Sequence, residues 1–214
     1  MSRRVILWRH GQTAWNLARR VQGQTDTELD ETGRAQAAAA AARLASLAPA
    51  RIVSSDLRRA RETAQALSDL VDLEVETDPR LREMNFGERE GLDWQGSWQR
   101  FPELMQQMLD GDDPRFPGAE THVEAGARFA EALTEALEVL PDGETLVVVA
   151  HGAVLRVGVA TFLGFPEPTW RSFAGLSNCS WIAVEQIDPQ RYSRWRLTEW
   201  NAGTLPEPVM SDDE

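Results

Sequence analysis

The chain has 214 residues, enough for one domain with an inserted lobe, and a hydrophobic fraction of 42% that suffices for a substantial core. A net charge of −12 argues against a general nucleic-acid or membrane-surface binder, and no apolar stretch approaches the ~20 residues of a membrane span. All 22 basic residues are arginine, which excludes Schiff-base lysine chemistry and a P-loop lysine.

The single cysteine, Cys179, rules out an internal disulfide and reads as a packing residue. Met1-Ser2-Arg3-Arg4 runs straight into an apolar strand without a signal-peptide h-region, so a cytoplasmic protein is expected. In chain order, residues 4–8 predict a strand, and Thr13 caps a short helix through about Arg20. Residues 21–32 read as a polar loop, followed by an alanine-rich helix from Glu31 to Leu47. Arg51–Ser54 predicts a strand, with Ser55 or Asp56 capping a helix to about Val71. Leu73–Glu76 is a weak strand.

Residues 84–118 are dense in glycine and proline and read as an irregular lid lobe. Its aromatics, Phe86, Trp94, Trp98, Phe101 and Phe116, are expected to form lobe core. Glu120–Leu140 predicts an amphipathic helix with Val123, Phe129, Leu133, Leu137 and Leu140 on one stripe. Thr145–Ala150 is a second central strand, and Ala153–Leu163 its helix. Ser180–Val184 and Arg194–Trp200 alternate as late antiparallel strands. Residues 204–214 read as a disordered acidic tail after a single domain over 1–203. The alternation predicts an α/β fold: a three-layer α/β/α sandwich around a mostly parallel sheet, with a small inserted lid lobe.

Two of the three histidines share one local setting. Arg9-His10-Gly11 follows the apolar run Val5–Trp8, and His151-Gly152 follows Leu146–Ala150. Each is a buried strand ending in histidine, then glycine, then a helical pattern. Ligands bind at the carboxyl ends of strands in open α/β sheets. Two imidazoles at that edge, one beside an arginine, point to phosphate chemistry.

Hydrolysis of a phosphate monoester needs a nucleophile, neutralisation of the non-bridging oxygens and a proton for the leaving oxygen. His10 is the candidate nucleophile, attacking phosphorus to form a phosphohistidine. Gly11 is expected to let the backbone approach the anion, with free N–H groups at the next helix start. Arg9 and Arg59 are the candidate clamp, because guanidinium binds phosphate oxygens bidentately. Arg58 and Arg61 fall elsewhere on their helix and read as solvated. His151, protonated beside a dianion, supplies a third wall. Glu83, in Leu81–Gly87, is the candidate proton donor, with Glu88 and Glu90 as rivals. No metal-ligand spacing is present; His122, inside a predicted helix, reads as a surface or lobe residue.

Leu7-Trp8-Arg9-His10-Gly11-Gln12-Thr13-Ala14-Trp15-Asn16 resembles the signature of the histidine phosphatase superfamily, in its phosphoglycerate-mutase-like branch. Ser54–Ala64, Leu81–Gly91 and Val149–Gly152 are similar to its later blocks. Pro117–Thr121 resembles its P-x-G-E-S segment, with Ala119 and Thr121 as departures. The blocks occur in family order over residues 5–156. The resemblance implies a phosphohistidine enzyme without metal or cofactor. It places Arg9, His10, Arg59 and His151 in the phosphate pocket with Gly11 and Gly152, and makes Glu83 the acid. Asn16 and the Gln22-Gly23 loop would touch the phosphoryl group or its ester.

Arg82–Gly91 resembles the phosphatase branch, which favours a phosphomonoesterase acting on a small phosphorylated metabolite. The alternatives are a cofactor-dependent mutase and a non-catalytic phospho-ligand module. Ser177–Trp181 with Arg194–Asn201 resembles bacterial glucosyl-3-phosphoglycerate phosphatases. A broad-specificity phosphomonoesterase or a cofactor-biosynthesis phosphatase fits nearly as well. A carboxylate-bearing substrate would need a further cation, for which Arg82, Arg89, Arg100 and Arg115 are candidates with no ground for choosing. A homodimer stays open.

Overall fold

Val5–Trp8 and Leu146–Ala150 carry no polar side chain, and strands with continuous apolar runs are those covered on both faces. In the computed structural model, which describes residues 2–187 and 195–203, these runs lie in two adjacent strands, β1 (Arg4–Arg9) and β4 (Thr145–Ala150). The other strands are β2 (Arg51–Ser54), β3 (Val75–Thr77), β5 (Trp181–Gln186) and β6 (Trp195–Ala202). The sheet order is β3-β2-β4-β1-β5-β6. The first three pairings across the sheet are parallel, and β5 and β6 join antiparallel at one edge.

Helices α2 (Glu31–Ala45) and α3 (Arg58–Val71) cover one face. Ala37, Ala41 and Leu44, with Ala60, Ala64 and Leu67, pack on Ile6, Trp8, Ile52, Val147 and Val149. Helices α6 (His122–Glu138) and α7 (Gly152–Phe162) cover the other, where Phe129, Leu133 and Leu155 meet Val5, Leu7 and Val148. This is the expected three-layer α/β/α sandwich. Each fully buried large apolar side chain contributes about 1.5–3 kcal/mol. A surface ion pair such as Arg115–Glu124 is screened by solvent and contributes little, so the two apolar layers decide the architecture.

Several local expectations are revised. Helix α1 (Ala14–Leu17) has Thr13 as its cap, in a capping box with Asn16, but stops short of Arg20. Arg19 is left-handed at φ 51° and ends it. Neither Ser55 nor Asp56 caps α3. Its N-cap is Leu57, whose side chain has no acceptor; Ser55 Oγ lies against His151 and accepts from Leu57 N–H, and the Asp56 carboxylate pairs with Arg82. The strand expected at Leu73–Glu76 lies at Val75–Thr77. The lid is more regular than its composition suggests, with α4 (Trp94–Arg100) and α5 (Pro102–Asp110). Asp93 caps α4 through Gly96 N–H at 2.7 Å, Pro102 opens α5 and Gly111 ends it. Those prolines and glycines mark helix ends, where each is favoured. Val123 is 45% exposed and leaves the predicted apolar stripe of α6, whose other members are buried. Arg194 and the expected acidic tail at 204–214 lie outside the described residues.

Candidate active site

The register of the two central strands builds the site. Parallel pairing aligns Arg9 with Ala150, and His10 N–H donates to Ala150 O at 3.0 Å. His10 and His151 therefore leave neighbouring strands at the same level. Their ring centroids are 5.1 Å apart, tilted by 58°. β2, on the far side of β4, delivers Ser55, whose N–H donates to Val149 O at 2.9 Å. Ser55 Oγ lies 2.8 Å from His151 Nε2.

His10 Nδ1 lies 2.7 Å from Gly11 O. A carbonyl oxygen only accepts, so Nδ1 carries the hydrogen and Nε2 keeps its lone pair. Burial, then Arg59 and Arg9, hold the His10 imidazole well below the usual histidine range. Burial, then Arg59, His10 and Arg9, do the same to His151. Burial first, then the neighbouring cations, oppose a positive charge on His151; the expected protonated form concerns the site with a dianion bound. The Nδ1 of His151 is buried without a hydrogen-bond partner. Such an atom is costly to bury unless a ligand meets it.

Both clamp candidates are buried here. Arg59, in the first turn of α3, donates to Gly23 O at 2.7 Å and Thr25 O at 2.9 Å. Arg9 donates to Leu176 O. These carbonyls orient the guanidinium planes and carry no full charge. Arg58 and Arg61 are exposed, as expected from their helical phase. A Cβ on Gly152 would lie 3.3 Å from Arg9 Cζ, so that glycine gives Arg9 its place.

Gly11 also has a packing role. A Cβ there would lie 2.4 Å from Gly33 O, so Gly11 admits the start of α2. The N–H groups of Gly11, Gln12 and Thr13 are also engaged, with Thr63 Oγ1, Gln36 Oε1 and Asn16 Oδ1. The Asn16 amide oxygen serves the capping box and also accepts from Asn178. Gln22 is closer to expectation. Its Oε1 accepts from Thr13 and Thr27 hydroxyls, while Nε2 is buried without a partner and the residue lines the cavity beside His10. Gly23 is left-handed at φ 53°, and a Cβ there would strike Glu90.

Glu83 separates from its rivals. Glu90 accepts from Gln24 N, Thr25 N and Thr25 Oγ1 and clamps the 23–25 loop. Glu88 is an exposed partner of Arg100. Glu83 is buried at 3% exposure and lines the cavity. Its Oε1 accepts from Met84 N and Val154 N, each at 2.8 Å, and Oε2 from Ala153 N at 3.1 Å. Arg128, which sequence reasoning missed, fixes the segment from below. It donates to the carbonyls of Arg80, Arg82 and Glu83 and pairs with Glu120. Nothing in the local sequence of α6 distinguishes it from a surface arginine.

The cavity is about 530 Å³, within the usual small-ligand range of about 300–1,000 Å³. Beyond His10, Gln22, Arg59 and Glu83 it is lined by Phe86, Arg89 and Trp94 of the lid and by Arg156 of α7. His122 also lines it, paired to Asp113 at 2.6 Å, and is therefore a cavity residue as well as a lobe residue. Cys179 is buried, its thiol pushed up to about 12 by burial, as a packing role requires. Among the described residues, no group of three His, Cys, Asp or Glu side chains is arranged for a metal, and no helix is long and apolar enough to cross a membrane.

The carboxyl edge of this α/β sheet brings two buried imidazoles together with the buried guanidiniums of Arg9 and Arg59. Residues 5–203 match the family described as histidine phosphatase superfamily (branch 1). A glucosyl-3-phosphoglycerate phosphatase of Mycolicibacterium vanbaalenii is 38% identical over 218 residues, covering 94% of this chain and 95% of that protein. A probable phosphoglycerate mutase of Serratia proteamaculans is 38% identical over 209 residues, covering 97% and 94%. The solved structure of a mycobacterial glucosyl-3-phosphoglycerate phosphatase with VO3 matches with a TM-score of 0.85 at 38% identity, over 94% of this chain and 100% of that one. The chain belongs to the histidine phosphatase superfamily.

Proposed function

We propose that the protein is a phosphomonoesterase that works through a phosphohistidine on His10 and needs no metal. The observation that carries this is the 2.7 Å bond from His10 Nδ1 to Gly11 O, which leaves the Nε2 lone pair available on a residue that lines the cavity. In the first step Nε2 attacks phosphorus as the ester P–O bond breaks. Arg9 and Arg59 neutralise the non-bridging oxygens, and Gln22 Nε2 and His151 Nδ1 find their partner there. Glu83, in its protonated form, gives its proton to the leaving alkoxide. In the second step Glu83 takes a proton from water, the water oxygen attacks phosphorus, and the P–N bond breaks with its electron pair returning to Nε2.

For substrate, we infer a small phosphorylated metabolite of the phosphoglycerate type, glucosyl-3-phosphoglycerate among the candidates. Relatives bearing that name span nearly the whole chain, and the cavity is far larger than orthophosphate requires. The location proposed is the cytoplasm, where such metabolites are handled. The name of the Serratia relative carries the mutase reading. Phosphate release with 3-phosphoglycerate and a bisphosphate primer separates the two: net release supports hydrolysis, and transfer to a second hydroxyl without release overturns it. The mechanistic test is rapid acid quench with a radiolabelled ester. Acid-labile, base-stable label on the wild-type chain, absent in His10→Ala, is expected. Turnover by His10→Ala at the wild-type rate would overturn the covalent route.

A further inference from the structure

Resting on the phosphatase reading, we propose that Ser55 is a positioning residue: its hydroxyl donates to His151 Nε2, fixing that imidazole as the neutral Nδ1–H tautomer and leaving an uncharged donor for the transferring phosphoryl group. Strand pairing brings the two side chains together. Ser54 aligns with Val149 where β2 meets β4, and Ser55 N–H donates to Val149 O at 2.9 Å. Ser55 thus leaves β2 beside the point where His151 leaves β4, and Oγ comes within 2.8 Å of Nε2. Both residues are fully buried, so solvent does not stand in for a missing partner.

The positions of the hydrogens follow from what each partner can donate. Among the described residues, two groups reach Ser55 Oγ: Leu57 N–H at 3.3 Å and His151 Nε2 at 2.8 Å. An amide N–H only donates, so the serine hydrogen has one acceptor left, the lone pair on Nε2. A neutral imidazole then carries its hydrogen on Nδ1. The opposite tautomer directs Nε2–H at Oγ, leaves a buried O–H with nothing to accept it, and presents a lone pair at Nδ1. An orphaned buried donor is costly. Nδ1 has no hydrogen-bond partner in the protein, in a ring whose centroid is 5.1 Å from that of His10. A phosphoryl oxygen held at His10 is the acceptor that this N–H lacks, whereas a lone pair there would repel it. An imidazolium would direct Nε2–H at the same serine and orphan its hydrogen again. The buried Arg9 and Arg59 already bring full positive charge to the pocket, so a neutral donor adds a hydrogen bond without a third cation beside them.

The experiment joins nitrogen NMR to kinetics on the full chain. Protein labelled with 15N in its three histidines is recorded with and without saturating inorganic phosphate, and H151A identifies the His151 signals. The proton is expected on Nδ1 alone in both states. A proton on Nε2, or on both nitrogens once phosphate is bound, would overturn the proposal. In kinetics, S55A should lower kcat/KM for p-nitrophenyl phosphate about tenfold to a hundredfold, and S55T, which keeps the hydroxyl, should recover most of it. The same S55A change made in H151A should cost under about twofold, because its target is gone. Ser55 also accepts from the N-cap of α3, the helix that carries Arg59. An S55A loss as large in H151A as in wild type would show that Ser55 acts through that helix, and would overturn the proposal, as would wild-type turnover by S55A. Should a variant not fold or be too slow to measure, the wild-type nitrogen spectrum decides alone. Wild-type protein that hydrolyses no ester removes the phosphatase reading and the role argued from it, whatever the tautomer. Normal hydrolysis with the proton on Nε2 removes only the assignment of Ser55.

Discussion

The Glu83 carboxylate accepts the backbone N–H of Val154 at 2.8 Å, across 71 positions of sequence. The candidate acid is thereby tied to the first turn of α7, the helix that His151 begins. Acid and imidazole wall share one anchor, so any movement of α7 displaces both.

If Glu83 protonates the leaving group, its effect depends on how much that group needs a proton. Glu83→Gln should lower kcat about 10²–10⁴-fold on an alkyl ester such as glycerol 3-phosphate. An aryl phosphate leaves more readily and should lose much less. Parallel losses in steady-state rates on both esters would remove Glu83 from the acid role.

Arg128 holds the Glu83 segment through three carbonyls and the half-buried Glu120. Arg128→Met leaves that carboxylate and those carbonyls without their cation. Breaking such a pair costs about 3 kcal/mol. For a chain of this size that is a fall in Tm of roughly 6–12 °C, which calorimetry reads directly. A shift under about 2 °C would mean that α6 positions Glu83 by packing alone.

The contact between the β1 loop and α2 is backbone on backbone. A Cβ on Gly33 would lie 2.0 Å from Gln12 O. Gly33→Ala should therefore destabilise by about 1–3 kcal/mol, as overpacking does, and shift the urea midpoint downward without changing the slope. It should also lower kcat, because Gln12 is two residues from His10. Wild-type stability in this variant would show that the two backbones separate at no cost.

The two neutral histidines set a pH dependence. Burial and the adjacent arginines hold both below the usual histidine range in the native state. Unfolded histidines titrate near ~6.5, so below that pH the unfolded chain binds protons that the native chain refuses. Stability should fall as pH drops from ~6.5 toward the native values, and be flat with respect to these groups above it. Urea melts at pH 7.5, 6.5 and 5.5 test this, and His151→Asn should flatten the decline. The acid limb of kcat/KM should likewise not follow an ordinary histidine but the ester's second ionisation near ~6. A limb centred on 6.5 for every ester, whatever its own ionisation, would contradict it.

Much of the fold was legible because its signals are local. The runs before His10 and His151 are apolar without interruption, and only a strand covered on both sides suits them. The stripe Phe129, Leu133 and Leu137 repeats at helical spacing, and all three are buried. The lid was misread because its glycines and prolines mark ends of short helices as well as loops. Ser55 was misread because a serine before a helix satisfies a cap pattern, and nothing nearby shows that an imidazole 96 positions away takes its hydroxyl.

By itself the amino-acid order determined the elements and the chemical types that strand ends deliver: imidazole, guanidinium and carboxylate. Propensity and apolar periodicity act over a few residues, so they can be read one segment at a time. Only the tertiary structure decided which of those groups meet. Pairing of β1 with β4 put the two imidazoles at one level, and backbone amides of α7 hold Glu83 at the cavity while Glu90 binds the 23–25 loop and Glu88 pairs with Arg100. Those choices rest on hydrogen bonds and packing between residues far apart in the chain, for which short sequence windows carry no signal.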